Sequence, residues 1–210
     1  YWQAGQAACH RHGALLIMDE IPTGLGKTGE MFAFEHDGIT PDIVTLGKAL
    51  GGGVLPIAAV LARRDLDVCG EFAIGHYTHE KNPVTARAAL ATLEVIEEED
   101  LVARAARLGE AAQARLRGRL SGLASVGDIR GRGLMFGVEI VRDREGRVPA
   151  PGLAEQIYYR SLAAGVSFKI SAGNVLTLSP PLVIAEEDLW TALDHVAAAV
   201  EAVSEAAGLC

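Results

Sequence analysis

The stretch DIVTLGKALGGGVLPIAAVLA, Asp42 to Ala62, sets two apolar runs of β-forming residues on either side of one lysine and four glycines. Upstream, ALLIMDE (Ala14–Glu20) is a third such run, and it ends in two carboxylates. Runs this apolar suit short strands covered on both faces, and a helical segment ahead of the first favours a mostly parallel sheet. Ligands gather at the carboxyl ends of strands in such sheets. Asp19 and Lys48 both stand at ends of that kind.

The rest of the composition agrees with an α/β protein. Half of the 210 residues are hydrophobic and 24 are glycine, the mix that tight strand–helix turns require. The formal net charge of −8, with no cluster of basic and aromatic residues, gives nucleic acid nothing to bind. Cys9, Cys69 and Cys210 are odd in number and lack metal-ligand spacing, so they read as free thiols in a reducing cytoplasm, with no metal site. No apolar run reaches the roughly 18 residues of a membrane span, so a soluble protein with no membrane partner is expected. The opening YWQAGQAACHRHG reads as the later part of an amphipathic helix, and the chain is expected to be an N-terminally truncated fragment.

Further along, Asn82–Glu98 has proline in its first turn and apolar residues at helical spacing. A second helix carries Leu101, Ala105, Leu108, Ala112 and Leu116 on one stripe. VGDIRGRGLMFGVEIV (126–141) reads as one glycine-punctuated strand, followed by a polar loop over 142–152 and a helix from Leu153. Two short strands, GVSFKI and NVLTLSP, precede a last helix over about 185–206. The expected organisation is the C-terminal part of a large domain over 1–100, a connecting helix over 101–120 and a small α+β domain over 121–210.

Lys48, followed at once by small residues, is either a snorkelling surface amine or a desolvated one whose lowered pKa makes it a nucleophile toward carbonyls. Asp19 at a buried strand end needs a cationic or donor partner, and a protonated heterocyclic nitrogen would serve. Pyridoxal phosphate asks for both, a Schiff-base lysine and a carboxylate on its ring nitrogen.

The run from Leu15 to Ala62 resembles the class III (ω-amino acid type) aminotransferases of the fold-type I pyridoxal-phosphate enzymes. That family shows a strand ending in Asp-Glu, a TG.G+TG loop, a PDI motif and the lysine before glycines; here 29 positions (48 − 19) separate Asp19 from Lys48, the family's spacing. The similarity continues through GHYTHEKNP, DIRGRGLMFGVEI and NVLTLSPPLVI. The resemblance implies that Lys48 holds pyridoxal phosphate and shuttles the proton, and that Asp19 pairs with the cofactor ring nitrogen. It also implies that Thr78 binds the cofactor phosphate of the neighbouring subunit, so that the enzyme is a homodimer with a shared active site acting on a small-molecule amine. Glu20 either joins the site or only stabilises the TGLGKTG loop, and Lys27 in that loop reads as a solvated lysine. The part of the family fold absent from these residues supplies a phosphate-binding turn and a ring-stacking aromatic, so the 210 residues alone are expected to be inactive.

Three departures from the family pattern bear on the reaction. Pro22 replaces a glutamine near the cofactor's 3′ oxygen and brings neither a side-chain donor nor a backbone N–H. Thr177 stands where members using α-amino acids place an arginine for the substrate carboxylate, and a neutral hydroxyl cannot supply that bidentate contact. His79, Glu80 and Lys81 replace small residues beside the phosphate site, where Lys81, like Lys169 ahead of Thr177, is a candidate contact for an anionic substrate group. Arg130 and Arg132 read as structural residues of a glycine-rich turn. These departures are similar to an ammonia-lyase or phospho-lyase branch of the same family, which makes elimination from an amino alcohol phosphate or phosphonate the alternative to transamination. A non-catalytic dimerisation module is the third reading; it gives no physical reason for Asp19, Lys48 and Thr78 to occur together.

Overall fold

The computed structural model describes residues 1–72, 75 and 77–209. Cys210, one of the three expected free thiols, and His76 of the GHYTHEKNP motif lie outside them, while Cys9 and Cys69 are free. The chain forms two compact units, Tyr1–Ala103 and Arg104–Cys210. No helix among the described residues is long and apolar enough to cross a membrane.

The first unit opens with helix α1 (Trp2–Arg11), which Gly13 ends in a left-handed conformation (φ 64°). Strands β1 (Ile17–Asp19) and β2 (Ile43–Leu46) run parallel, with Asp19 opposite Thr45. Strand β3 (Ala59–Ala62) pairs with β2 antiparallel. A parallel return needs a crossover of a dozen or more residues, usually a helix. Between β2 and β3 the chain makes only a 3-10 turn, Lys48–Gly51, closed by left-handed Gly52 (φ 68°), and it reverses.

The edge strands are also not covered on both faces: Ile17 is 57% and Val60 69% exposed. Nothing among the described residues of this unit packs over them, and only β2 buries apolar side chains, Val44 and Leu46. Asp42 fixes the register of the strands. Its buried carboxylate accepts the Leu16 N–H at 2.7 Å and pairs with Arg63, just past β3, at 2.7 Å. Helix α2 (Pro83–Glu98) starts where expected: the Asn82 side chain accepts the Val84 N–H, and proline takes the first helical position. It packs against the Lys48–Gly51 turn, where a Cβ on Gly52 would come within 3.2 Å of the Thr92 hydroxyl.

Helix α3 (Leu101–Leu120) is a single helix whose first turn spans the division between the units. From Ala105 onward its stripe, Ala105, Leu108, Ala112, Leu116 and Leu120, lies in the core of the second unit. Each leucine fully buried in this way contributes about 1.5–3 kcal/mol. The run 126–141 is a hairpin rather than one strand. Strands β4 (Val126–Arg132) and β5 (Met135–Asp143) pair antiparallel down to Arg132 opposite Met135, with the turn at Gly133 (φ 50°) and Leu134. Two residues suffice for such a reversal, and one of them is the glycine that the positive φ favours. Helix α3 lies so close to that turn that a Cβ on Gly109 would fall 1.9 Å from the Gly133 carbonyl oxygen.

The polar loop expected over 142–152 contains the end of β5, a short strand β6 (Val148–Pro149) paired with it, and the first turn of α4 (Pro151–Ala163). Strands β7 (Lys169–Ser171) and β8 (Val175–Leu178) complete an antiparallel sheet in the order β4-β5-β8-β7, and α5 (Glu186–Ala206) closes the chain. Ile129, Val138, Leu176 and Leu178 point from the sheet into the core shared with α3, α4 and α5. Arg107, Arg115 and Arg119 of α3 pair with Glu186, Asp194 and Glu201 of α5 along the rim. Among the described residues no buried side-chain nitrogen or oxygen lacks a partner.

Candidate active site

Asp19 is the last residue of β1, and the parallel register sets it beside Thr45, three positions before Lys48. Its Oδ1 accepts the Ile21 N–H at 3.0 Å and the Thr45 hydroxyl at 3.2 Å. Among the described residues Oδ2 has no hydrogen-bond partner. One oxygen thus orients the carboxylate while the other stays available to an incoming donor. Thr45 escaped the sequence reading. Its place opposite the strand-ending aspartate comes from the register of β1 with β2, which DIVTLGK by itself does not report.

Lys48 opens the 3-10 turn beyond β2 in the left-handed region, φ 47°, which a lysine adopts only where its surroundings hold it. Its side chain is exposed and makes no ion pair among the described residues. It borders an open groove of about 510 Å³ with Pro56, Ile57 and Ala58. Asp19 and Lys48 are both exposed in this unit, so Asp19 is not the buried carboxylate expected and Lys48 stands as the surface amine of its two alternatives.

Glu20, next to Asp19, points the other way. It is buried, and its carboxylate accepts the Thr23 hydroxyl at 2.5 Å and the Phe34 N–H at 3.0 Å. That fixes Thr23, the first residue of the TGLGKTG loop, and Phe34 beyond its last glycine. Gly24 needs its missing Cβ there, since one would sit 3.0 Å from the Glu20 carbonyl oxygen. Lys27 is not the solvated loop lysine expected: burial pushes its amine down to about 8. Pro22 is exposed beside these residues.

Thr78 lies in an exposed turn with His79, Glu80 and Lys81, ahead of the α2 N-terminus. Lys81 has φ 57° and lies 3.9 Å from Glu80.

In the second unit, Lys169 of β7 is directly opposite Thr177 of β8. Thr177 Oγ1 donates to Ser171 Oγ at 2.8 Å. Lys169 and Thr177 also line a cavity of about 540 Å³ whose apolar wall includes Phe136, Phe168, Leu178 and Leu193. Arg130 is held by Glu139 at 2.5 Å and Asp128 at 3.2 Å within the β4–β5 hairpin, the structural role expected of it. The hydrogen bond to Glu139, more than that to Asp128, raises its pKa further.

The aminotransferase class-III sequence pattern matches residues 1–200. The chain belongs to the class-III aminotransferase family. Within that family it is 42% identical over 193 residues to the (R)-1-hydroxy-2-aminoethylphosphonate ammonia-lyase of Vibrio splendidus, covering 92% of this chain and 40% of that protein. It is 43% identical over 206 residues to the leucine/methionine racemase of Thermococcus litoralis, 98% of this chain and 46% of the relative. Among solved structures, the ornithine aminotransferase of Toxoplasma gondii, described with partial occupancy of PLP at its active site, superposes with a TM-score of 0.89. It is 34% identical and matches 99% of this chain and 47% of its own. The chain therefore spans about half the length of the class-III proteins it matches, and its α/β architecture is that of their transaminase fold.

Proposed function

We propose that the protein is a pyridoxal-phosphate-dependent aminotransferase that moves the amino group of a primary amine or ω-amino-acid-like substrate to a keto acid. It works as a cytoplasmic homodimer. The observation that carries this reading is the pair at the sheet edge. Asp19 ends β1 and Lys48 follows the adjacent parallel β2, one with a carboxylate oxygen unpartnered among the described residues, the other with an amine that no carboxylate among them engages. These groups fit the cofactor: a carboxylate for a protonated ring nitrogen and an amine for an aldehyde carbon. Bound there, pyridoxal phosphate supplies the electron sink for deprotonation of the substrate carbon.

Each residue then has a defined task. Asp19, fixed through Oδ1 by Ile21 and Thr45, offers Oδ2 to the ring N–H and keeps that proton in place. Lys48 Nζ would hold the cofactor and would take and return the substrate proton. Thr78, exposed before the N-terminus of α2, binds the phosphate of the partner subunit's cofactor, where helix N–H groups add favourable polarity. Lys81 and Lys169 are assigned to anionic parts of the substrate. Full-length enzyme is the proper test object. With cofactor it is expected to show an absorbance band that Lys48→Ala removes, and to consume an amine only when a keto acid is supplied. Absence of the band in the wild type would refute the reading.

A second reading is favoured by one observation, Thr177 in place of a carboxylate-binding arginine, together with similarity to a relative named as a phosphonate ammonia-lyase. In that case the same residues serve elimination of ammonia. Free ammonia and a carbonyl product formed without any keto acid would select it over transamination.

A further inference from the structure

Helix α4 and strand β7 border a groove of about 310 Å³ lined by Glu155, Tyr158, Tyr159, Phe168 and Ile170. Its make-up follows from two local periods. Glu155, Tyr158 and Tyr159 stand at positions i, i+3 and i+4 of α4, so their side chains share one face of the helix. Phe168 and Ile170 are two residues apart at the start of β7, which puts both on one side of it, while Lys169 between them goes to the other. The whole groove belongs to the second unit.

Three of the five lining residues are aromatic, and their rings are not stacked. Tyr158 lies 5.4 Å from Tyr159 between ring centroids with the planes 68° apart, and 5.4 Å from Phe168 with the planes 85° apart. The groove is therefore walled by planes that turn a corner. Aromatic faces carry partial negative charge and attract cations. Glu155 adds a full negative charge: it is exposed and makes no ion pair or hydrogen bond among the described residues. No lysine or arginine lines the groove to neutralise it. Phe168 and Ile170 pack against the core, but Tyr159 is 58% exposed, a ring left open to solvent beside an unpaired carboxylate.

Shape and charge together select among cations. A hard divalent metal ion takes roughly six or more oxygen ligands, and the groove offers one carboxylate and two phenol oxygens. A primary ammonium is strongly hydrated and would exchange its water for a largely apolar wall. A flat guanidinium cannot lie parallel to Tyr158 and to either neighbouring ring at once. A rounded, fully alkylated ammonium meets all of these conditions, since its methyl groups rest on rings set at angles and its spread charge gives up little hydration. The volume suits one small ligand, being at the lower end of the roughly 300–1,000 Å³ of small-molecule pockets.

We infer that Glu155, Tyr158, Tyr159 and Phe168 form a binding site for a small quaternary ammonium compound, held by cation–π contacts and one carboxylate. The inference does not depend on the proposed cofactor chemistry, because none of these residues belongs to the unit that carries Asp19 and Lys48.

The test is titration of the full-length holoenzyme with choline and with 3,3-dimethyl-1-butanol, its uncharged isostere, followed by ligand-observed NMR. Choline is expected to bind at least about fivefold more tightly than the alcohol. Glu155→Gln and Tyr159→Leu should each weaken choline by about threefold or more, and Glu155→Gln should leave the alcohol unchanged. Both residues are exposed, so the replacements leave the core intact, which an unchanged Tm without ligand verifies. Equal affinity for the two compounds would mean an apolar groove only, and choline binding indifferent to both substitutions would mean a site elsewhere on the enzyme. Either result, or no choline binding at all, would overturn the inference.

Discussion

The two units differ in what their apolar residues do. In Arg104–Cys210, three helices and an antiparallel sheet enclose Leu108, Leu116, Val138, Ile157, Leu176 and Val200, each at most 1% exposed. In Tyr1–Ala103 comparable side chains stand open: Val54 is 85% and Val68 80% exposed. The groups proposed to carry the chemistry, Asp19, Lys48 and Thr78, all belong to the open unit. Hydrophobic texture along the chain is similar in both halves, so what differs is whether each apolar stripe meets a second layer.

The largest effects that could break this contrast are core truncations. Leu116→Ala in α3 should cost about 2–5 kcal/mol, whereas Val60→Ala in β3 should change stability by about 0.5 kcal/mol or less, both read from denaturant unfolding of the 210-residue chain. Equal costs would erase the distinction. Next comes Gly109→Ala, which drives a methyl into the Gly133 carbonyl and should cost about 1–3 kcal/mol. The matching change at Gly118, where a Cβ meets nothing within 4 Å on the same helix, should stabilise slightly. A smaller gain is expected in the β7–β8 turn. Ala172 and Gly173 both have positive φ (51° and 79°), and Ala172→Gly should raise stability by about 0.5–1 kcal/mol, seen as a higher Tm.

A last effect is one of pH and sharpens the account of the first unit. Burial lowers the Lys27 amine from 10.5 to about 8, so between those values the unfolded chain holds a proton that the folded chain has released. Stability should therefore rise with pH across the window from about 8 to 10.5, and Lys27→Met should abolish that rise. The penalty for charging the buried amine is fully present below pH 8. A pH titration of the urea midpoint reads it directly.

Much of this was legible in the sequence. Pro83 after Asn82 marked the start of α2, and the stripe from Leu101 to Leu116 marked α3, because caps and helical spacing are local signals. The β4–β5 hairpin was not, since a glycine within an apolar run signals a bulge as readily as a turn, and the run does not report the positive φ that Gly133 adopts where the chain reverses. The direction of β3 depended on the absence of a crossover helix, which the run LPIAAVLA does not encode by itself. Asp19 and Lys48 stood out by type and position, but their exposure depends on what covers β1 and β3, and no residue near them reports that. Thr45 and Ser171, each touching a proposed site residue, became visible only when strand register joined them to Asp19 and Thr177.

The central claim is that Lys48 is the residue that holds the cofactor. The most direct measurement is borohydride treatment of the full-length protein loaded with pyridoxal phosphate, followed by peptide mass mapping. The account predicts one reduced phosphopyridoxyl group, located on Lys48 and lost in Lys48→Ala. Labelling of another lysine such as Lys27, or no label in the wild type, would contradict it.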